Sequence, residues 1–546
     1  IYEESLNNER LNNTWPATGY GRISFDYCKN YPQVMFAHVG NSSNNSLLKS
    51  YKTSDGGNSW KETPRPSNGN YNFTWYCFKL SVSPIDTNFV FSSSVEPIYS
   101  KNGGNSWQKA GNSHSDYHEV TWYPNGIDFL VGNDGGVYKY NTTNPSTYSD
   151  LNNGLNITQF YAGNYAPSGE SLIGGTQDNG THITFNANKN FIKVYGGDGS
   201  HCHIHQQDET TRYVSWQNLN MYRQEGGSSY PISNYIKSAI GGDSYTWFIN
   251  PFEVNPLDGD QLYVPTKKHV YRSINGGQNW VALTGDLLGD SYAVGLSNSK
   301  NPIAYIGGTA SRLFRVKNAA TATSGEEVDL FNTKVPNFLG STIGCIEVDP
   351  NDEGTIFCGL VNVSTRSRIW KITHADTDNP EWYDISNNLP SSMPVNWVEV
   401  DPQNSDHIYL ATDYGLYSSL NGGASWQKEY RIPNVPIDQI KIRTSDRKLF
   451  IFTHGRGAWT ADLLENPIAN VAITTKNDWS VYPNPVSSVL HINAAFEKCS
   501  LYNTEGKEVA KTTQKQLNVA SLPEGIYFLE IERKEGKSVK KVIISH

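Results

Sequence analysis

An eight-residue segment recurs four times in the first 465 residues, and it limits the fold of this chain more than any other feature. The copies are Thr53-Ser-Asp-Gly-Gly-Asn-Ser-Trp60, Ser100-Lys-Asn-Gly-Gly-Asn-Ser-Trp107, Ser273-Ile-Asn-Gly-Gly-Gln-Asn-Trp280 and Ser419-Leu-Asn-Gly-Gly-Ala-Ser-Trp426. Repetition of this kind marks a supersecondary unit that buries its apolar surface by stacking on its neighbours. In each copy Asp55, Asn102, Asn275 or Asn421 caps a tight turn, and the glycine pair supplies positive φ. Trp60, Trp107, Trp280 or Trp426 then anchors the next strand in apolar packing. The expected element is a hairpin with its own staple.

A second marker precedes the turn: Val82-Ser-Pro84, Val254-Asn-Pro256 and Val400-Asp-Pro402, with Val348-Asp-Pro350 and Trp122-Tyr-Pro124 in weaker repeats. Between the two markers apolar residues alternate over short runs. Trp397 to Pro402, His407 to Thr412, Gly415 to Ser419 and the run from Trp426 read as four strands, the size of one β-propeller blade. A degenerate unit from Ile303 to Phe314 fills the gap between Pro256 and Pro350. Counting on this basis predicts about ten four-stranded blades between residues 18 and 465, least regular over 155–240. The fold class expected is therefore all-β, a large propeller over residues 1–465.

Composition agrees with many short strands and tight turns: only 18% of residues are charged, 12% are aromatic and 47 are glycine. Lys and Arg total 44 against 53 Asp and Glu, a net charge of −9, with no basic cluster to neutralise phosphates. Nucleic acid is excluded as a partner on this ground. No apolar run approaches the roughly 20 residues of a membrane-spanning helix. Ile1 opens a polar segment without a signal-peptide pattern, so a processed mature form is expected. The six cysteines are Cys28, Cys77, Cys202, Cys345, Cys358 and Cys499. Cys345 and Cys358 flank one predicted hairpin and are the expected disulfide, the alternative being reduced thiols buried in strands.

The turn motif resembles the Asp-box of the BNR-repeat propellers, which include sialidases, family-74 xyloglucanases and the sortilin/Vps10 ectodomain. The resemblance covers most of residues 18–465 and implies a fold rather than an activity, because enzymes and receptors share the turn. Three of the four copies carry Asn in place of Asp. Gly21-Arg-Ile-Ser24 lacks the proline of the sialidase Arg-Ile-Pro motif, and the first unit lacks the Asp-Ile-Gly-Gly segment of the xyloglucanases.

From Trp479 the blade markers cease, after a polar link at 466–478. Val481-Tyr-Pro-Asn-Pro485, Val489 to Ile492, Cys499 to Gly506, Leu522 to Ile531 and Val539 to Ile544 alternate as strands of a small Ig-like β-sandwich over 479–546. This stretch resembles the type A C-terminal sorting domain of type IX secretion system cargo from Bacteroidetes. The resemblance rests on Tyr482, Pro483, Asn484 and Pro485 at the entry, Gly525 and Tyr527 in the Gly-Ile-Tyr strand, and Lys540 and Lys541 in the tail. It implies passage through the outer-membrane translocon with its shuttle and processing machinery, then release or attachment to surface lipopolysaccharide once the domain is cleaved. The expected location is extracellular or on the outer-membrane surface.

Successive connections in a meander alternate between the two ends of its strands, so loops joining second to third strands lie opposite the Gly-Gly turns. These loops carry Asp134, Asp178 and Asp413, while Asp198, in a connection between blades, is expected at the same end. Together they form the pool from which a glycoside hydrolase would draw acid and base. Each alone is equally an Asp-Gly turn satisfying backbone amides. His454, Arg456 and Arg312 are candidate binding residues. His201, His203 and His205 share one face of a predicted strand and form a candidate transition-metal site, against the alternative of hydrogen-bonded histidines in a polar channel. No nucleotide-cofactor motif is present, and the one cofactor candidate is that metal ion. The expected role is a secreted or surface module that binds glycan or protein at the end opposite the turns. A glycoside hydrolase at the same end, or a structural or adhesive component, are the alternatives.

Overall fold

In the computed structural model the described residues are 15, 16, 18–185, 190–241, 246–331, 338, 340–362, 367–464, 479–504, 506–533 and 536–546. They divide into two compact units, Ile1–Leu463 and Leu464–His546. The proposed link at 466–478 lies outside the described residues. Among the described residues antiparallel strands account for nearly all regular structure, and no helix is long and apolar enough to cross a membrane.

Among the described residues of the first unit ten sheets follow one another, nine of four strands and the last of three, each a simple up-and-down meander. Their first strands are Tyr20–Cys28, Lys79–Val82, Tyr117–Trp122, Phe160–Tyr165, Gly199–Ile204, Glu253–Val254, Ser291–Leu296, Ile343–Val348, Val395–Asp401 and Ile437–Arg443. The sheets stack face to face. Phe357 and Ile369 of the eighth sheet, for example, pack against Val398, Leu410 and Trp426 of the ninth. From the fourth sheet to the tenth the contacts run in chain order, and the tenth then returns to the fourth. Phe450 and Phe452 pack on Phe160, and Gln439 accepts a hydrogen bond from the Gly163 amide at 2.8 Å. First-strand residues of all seven sheets, Tyr161, His201, Glu253, Val294, Cys345, Trp397 and Gln439, line one cavity of about 240 Å3. The first three sheets stack separately, on the cores around Phe78 and Phe129.

The Gly-Gly turns lie between the third and fourth strands of the first, second, sixth and ninth sheets, and their hydrogen bonding is nearly identical. The Ser106, Asn279 and Ser425 amides each donate to the side-chain oxygen of Asn102, Asn275 and Asn421 at 2.9 Å, as Ser59 does to Asp55. Ser100, Ser273 and Ser419 accept from the second glycine of each pair at 2.9 Å. Both glycines of every pair have positive φ, from 66° to 96°, which a β-carbon would strain. An amide oxygen accepts as a carboxylate does, so Asn replaces Asp here without loss of the cap. Trp107, Trp280 and Trp426 are buried and Trp60 half-buried.

The irregular stretch holds a helix that the strand periodicity does not predict, Ser233–Ile240. Ile236 and Ile240 pack with Leu262 and Trp280 of the sixth sheet, and Gly241 ends the helix in the left-handed conformation.

All six cysteines are free and buried. The expected Cys345–Cys358 bridge does not form, because Cys345 pairs across the ladder with Gly359 and Cys358 with Ile346. Adjacent positions on neighbouring strands face opposite sides of a sheet, and the two thiols accordingly sit in different apolar clusters.

In the second unit a three-stranded sheet (Ser480–Tyr482, Val489–Asn493, Gln516–Asn518) and a four-stranded sheet (Glu508–Thr512, Lys498–Tyr502, Gly525–Arg533, Gly536–Ile544) share one core. Leu490, Ile492, Leu501, Leu529, Ile531 and Val542 fill it from both sides.

Candidate functional site

Asp134, Asp178 and Asp198 come together at the strand ends opposite the Gly-Gly turns. Asp134 and Asp178 sit in second-to-third connections of the third and fourth sheets, and Asp198 immediately precedes the fifth. The Asp178 amide donates to Asp198 Oδ1 at 3.0 Å, and Asn179 Nδ2 donates to the Asp134 carbonyl at 2.9 Å. Asp134 also accepts from the Tyr76 hydroxyl at 3.1 Å and lies 2.6 Å from His118 Nε2. Asp178 occupies the left-handed region, φ 60°, and its half-buried carboxyl makes no hydrogen bond among the described residues. Burial, and then the charges of Asp134 and Asp198, push that carboxyl up to about 6. Three carboxyl groups thus sit close together: Asp134 and Asp198 accept hydrogen bonds, while Asp178 holds a proton into the weakly acidic range.

Four further groups complete this end of the unit. Asp116 accepts from the Cys77 thiol at 3.3 Å, and burial raises its carboxyl. Burial also raises Asp438, and its oxygen 3.0 Å from His454 Nδ1 holds that imidazole above its usual value. The Tyr161 ring stands 5.9 Å from that of His454, and the hydroxyl feels the charges of Asp198, Asp178 and Asp438. Beyond Asp134 an exposed aromatic strip continues outward. Tyr76 meets His118 at 4.9 Å between ring centres, Trp75 meets Tyr76 at 5.5 Å, and Phe73 meets Trp75 at 6.4 Å.

Asp413 stands apart from the three, exposed, accepting from Asn396 Nδ2 at 2.9 Å on the His454–Asp438 side. Arg456 is exposed beside His454. Arg312 pairs with Asp329 at 3.2 Å, and among the described residues no hydrogen bond or ion pair ties it to the cluster. Sequence reasoning missed Asp116, Asp438 and Tyr161 because it followed only loops. All three lie at or just before the start of a first strand, and the alternation of the meander places those starts at the same end.

The structure separates the three histidines of the predicted strand face. Among the described residues no group of three His, Cys, Asp or Glu side chains is arranged to hold an ion. A register shift between Gly199 and Cys202 breaks the alternation, and the strand ends at Ile204. His201 faces the cavity, His203 Nε2 lies 3.0 Å from the Phe252 carbonyl, and His205 Nδ1 accepts from the Gln207 and Asp208 amides at 3.1 Å. Burial pushes His201 and His203 down to about 3, so both are neutral.

In the second unit the entry motif and the tail meet. Asn484 Nδ2 donates to the Lys541 carbonyl at 2.9 Å, and Asn484 Oδ1 accepts the Ile543 amide at 2.8 Å, tying Tyr482-Pro-Asn-Pro485 to the last strand. Tyr482 stacks on His491, with 5.3 Å between ring centres. The Tyr527 hydroxyl donates to the Pro523 carbonyl at 2.8 Å, just ahead of Gly525. Lys540 lies over the ring of the buried Trp479 at 5.3 Å.

Residues 480–545 match the family model described as the secretion system C-terminal sorting domain. No curated protein matches the chain. The sorting domain marks a cargo of the type IX secretion system, which engages that machinery and ends up secreted or on the cell surface.

Proposed function

We propose that the exported body is an Asp-box β-propeller that binds glycans at the strand ends opposite its Gly-Gly turns. The seven sheets from Phe160 onward are read as blades closed around the central cavity, and the three before them as further blades set beside that ring. The return contact from the tenth sheet to the fourth supports this, as does the near-identical bonding of the four turns. The second unit is read as an Ig-like sandwich, recognised by the translocon with its shuttle and processing machinery before release or anchoring.

The observation that carries the glycan reading is the exposed strip of Phe73, Trp75 and Tyr76 running into the carboxylates through the Tyr76–Asp134 hydrogen bond. Aromatic faces take the apolar faces of sugar rings, and carboxylates accept their hydroxyls. Titration of a polysaccharide panel tests it. The full chain is expected to bind at least one polysaccharide, and Trp75→Ala to weaken that binding about tenfold or more, the loss of one stacked ring. A flat profile across the panel would favour a structural or adhesive role.

Asp178 favours a second reading, hydrolysis at the same end. A carboxyl raised to about 6 beside two further aspartates is the arrangement a glycosidase needs: it gives its proton to the leaving oxygen while a second carboxylate activates water or attacks the sugar. Reducing ends released by the wild type and abolished in Asp178→Asn, with binding retained, would establish it. Binding without release leaves recognition alone.

A further inference from the structure

In the stapled sheets the turn tryptophan fills the gap to the preceding sheet. Trp280 packs with Tyr213 and Met221 of the fifth sheet, and Trp426 with Phe357 of the eighth. In the fifth sheet the pair Gly226–Gly227 is followed, at the position Trp280 occupies in the sixth, by Tyr230, which is 53% exposed. The gap between the fourth and fifth sheets is left open as a cavity of about 450 Å3, at the Gly-Gly-turn end and so at the opposite strand ends from Asp178.

Two of its polar side chains carry unsatisfied atoms. Arg212 and Gln224 lie directly across from one another on paired strands, on one face of the fifth sheet. The Arg212 guanidinium stacks over Phe185 at 5.0 Å, no carboxylate pairs with it among the described residues, and its Nε is buried without a hydrogen-bond partner. Gln224 Oε1 is likewise buried without a donor. By contrast, Arg272 ends on the Ala319 and Ala322 carbonyls and Arg443 on Asp446. Glu209 stands in the same cavity, held by the Ser168 amide and hydroxyl. Ala166, Ile183 and Ile204 supply apolar wall.

We propose that this cavity is a second binding site, for a sugar unit that carries a carboxylate. Arg212 takes the carboxylate through its planar fork, the Gln224 amide and Glu209 meet sugar hydroxyls, and the apolar wall takes one ring face. The size suits one such unit. An uncharged ligand would leave the guanidinium desolvated and unpaired, and burial already lowers its pKa. The site is independent of the glycan reading above, because none of its residues belongs to the acidic end.

Calorimetric titration of the full chain with D-galacturonate, D-galactose and acetate tests the proposal. Saturable binding is expected for galacturonate, with galactose and acetate at least about tenfold weaker. Arg212→Lys keeps charge and stem but loses the fork, and is expected to weaken galacturonate about tenfold; Arg212→Met should abolish binding. Gln224→Ala should weaken it without touching the charge, a second route should the arginine variants fail to fold. Asp178→Asn should leave it unchanged, which separates this site from the acidic end. Equal binding of galactose or acetate, galacturonate binding unaltered in folded Arg212 variants, or no saturable heat with the wild type would each overturn it.

Discussion

Asp178 is the residue on which the chemistry of the acidic end turns. Its carboxyl is raised from an ordinary value of 3.8 to about 6, first by burial and then by Asp134 and Asp198. A folded-state pKa above the unfolded one means that the native state binds the proton more tightly, so this group lowers stability as pH rises from about 4 to 6, and the cost is complete above that. The full shift corresponds to about 3 kcal/mol, and screening of a carboxyl that is about half exposed reduces it to about 1 kcal/mol. Asp178→Asn is therefore expected to stabilise the protein by about 1 kcal/mol at pH 7, with the gain vanishing near pH 4; urea titrations at the two pH values measure it. Equal effects at both would mean that the carboxyl is not perturbed. Sequence placed Asp134, Asp178 and Asp198 at one end because loop alternation is a property of the backbone. The environment of Asp178 was not legible, since it depends on burial and on Asp134, Asp116 and His114 from another sheet.

The Gly-Gly hairpin is the element that sequence describes best, because its turn is closed by residues within eight positions of one another. Its cap and its glycine conformations are local, and all four copies adopt them. What the tryptophan packs against is not local, and Tyr230 shows the consequence: the same glycine pair without the indole leaves a gap. Trp280→Ala should cost about 3–5 kcal/mol by opening a comparable void between the fifth and sixth sheets, read as a lowered urea midpoint. A loss under about 1 kcal/mol would mean that the staple is dispensable. The helix Ser233–Ile240 lies outside the strand periodicity, and the choice between a Cys345–Cys358 bridge and buried reduced thiols stayed open because periodicity gives the facing of a residue only when the register is known. Cys345 and Cys358 flank a hairpin as expected, yet the register turns them to opposite faces.

In the first unit four of the seven sheets converge on buried charge. Lys441 lies 3.9 Å from Glu253 and 3.7 Å from Glu399, joining first strands of the sixth, ninth and tenth sheets, while Glu347 of the eighth feels the same lysine. Removing the lysine leaves desolvated carboxyls without their cation, and Lys441→Met should cost about 3–5 kcal/mol at neutral pH. The cost should shrink as pH falls through the glutamate pKa values, which burial raises above 4.5, because the carboxyls become neutral. A pH-independent loss would place the lysine outside this balance.

The two units also divide the labour of the molecule. The body folds by stacked sheets and carries both proposed sites, whereas the C-terminal unit has its own core and its own address. Deleting residues 479–546 and fractionating the cells tests this directly: the truncated body should stay folded and accumulate in the periplasm, with none in the medium or on the surface. Truncated body that still reached the medium would contradict the assignment of export to the C-terminal unit.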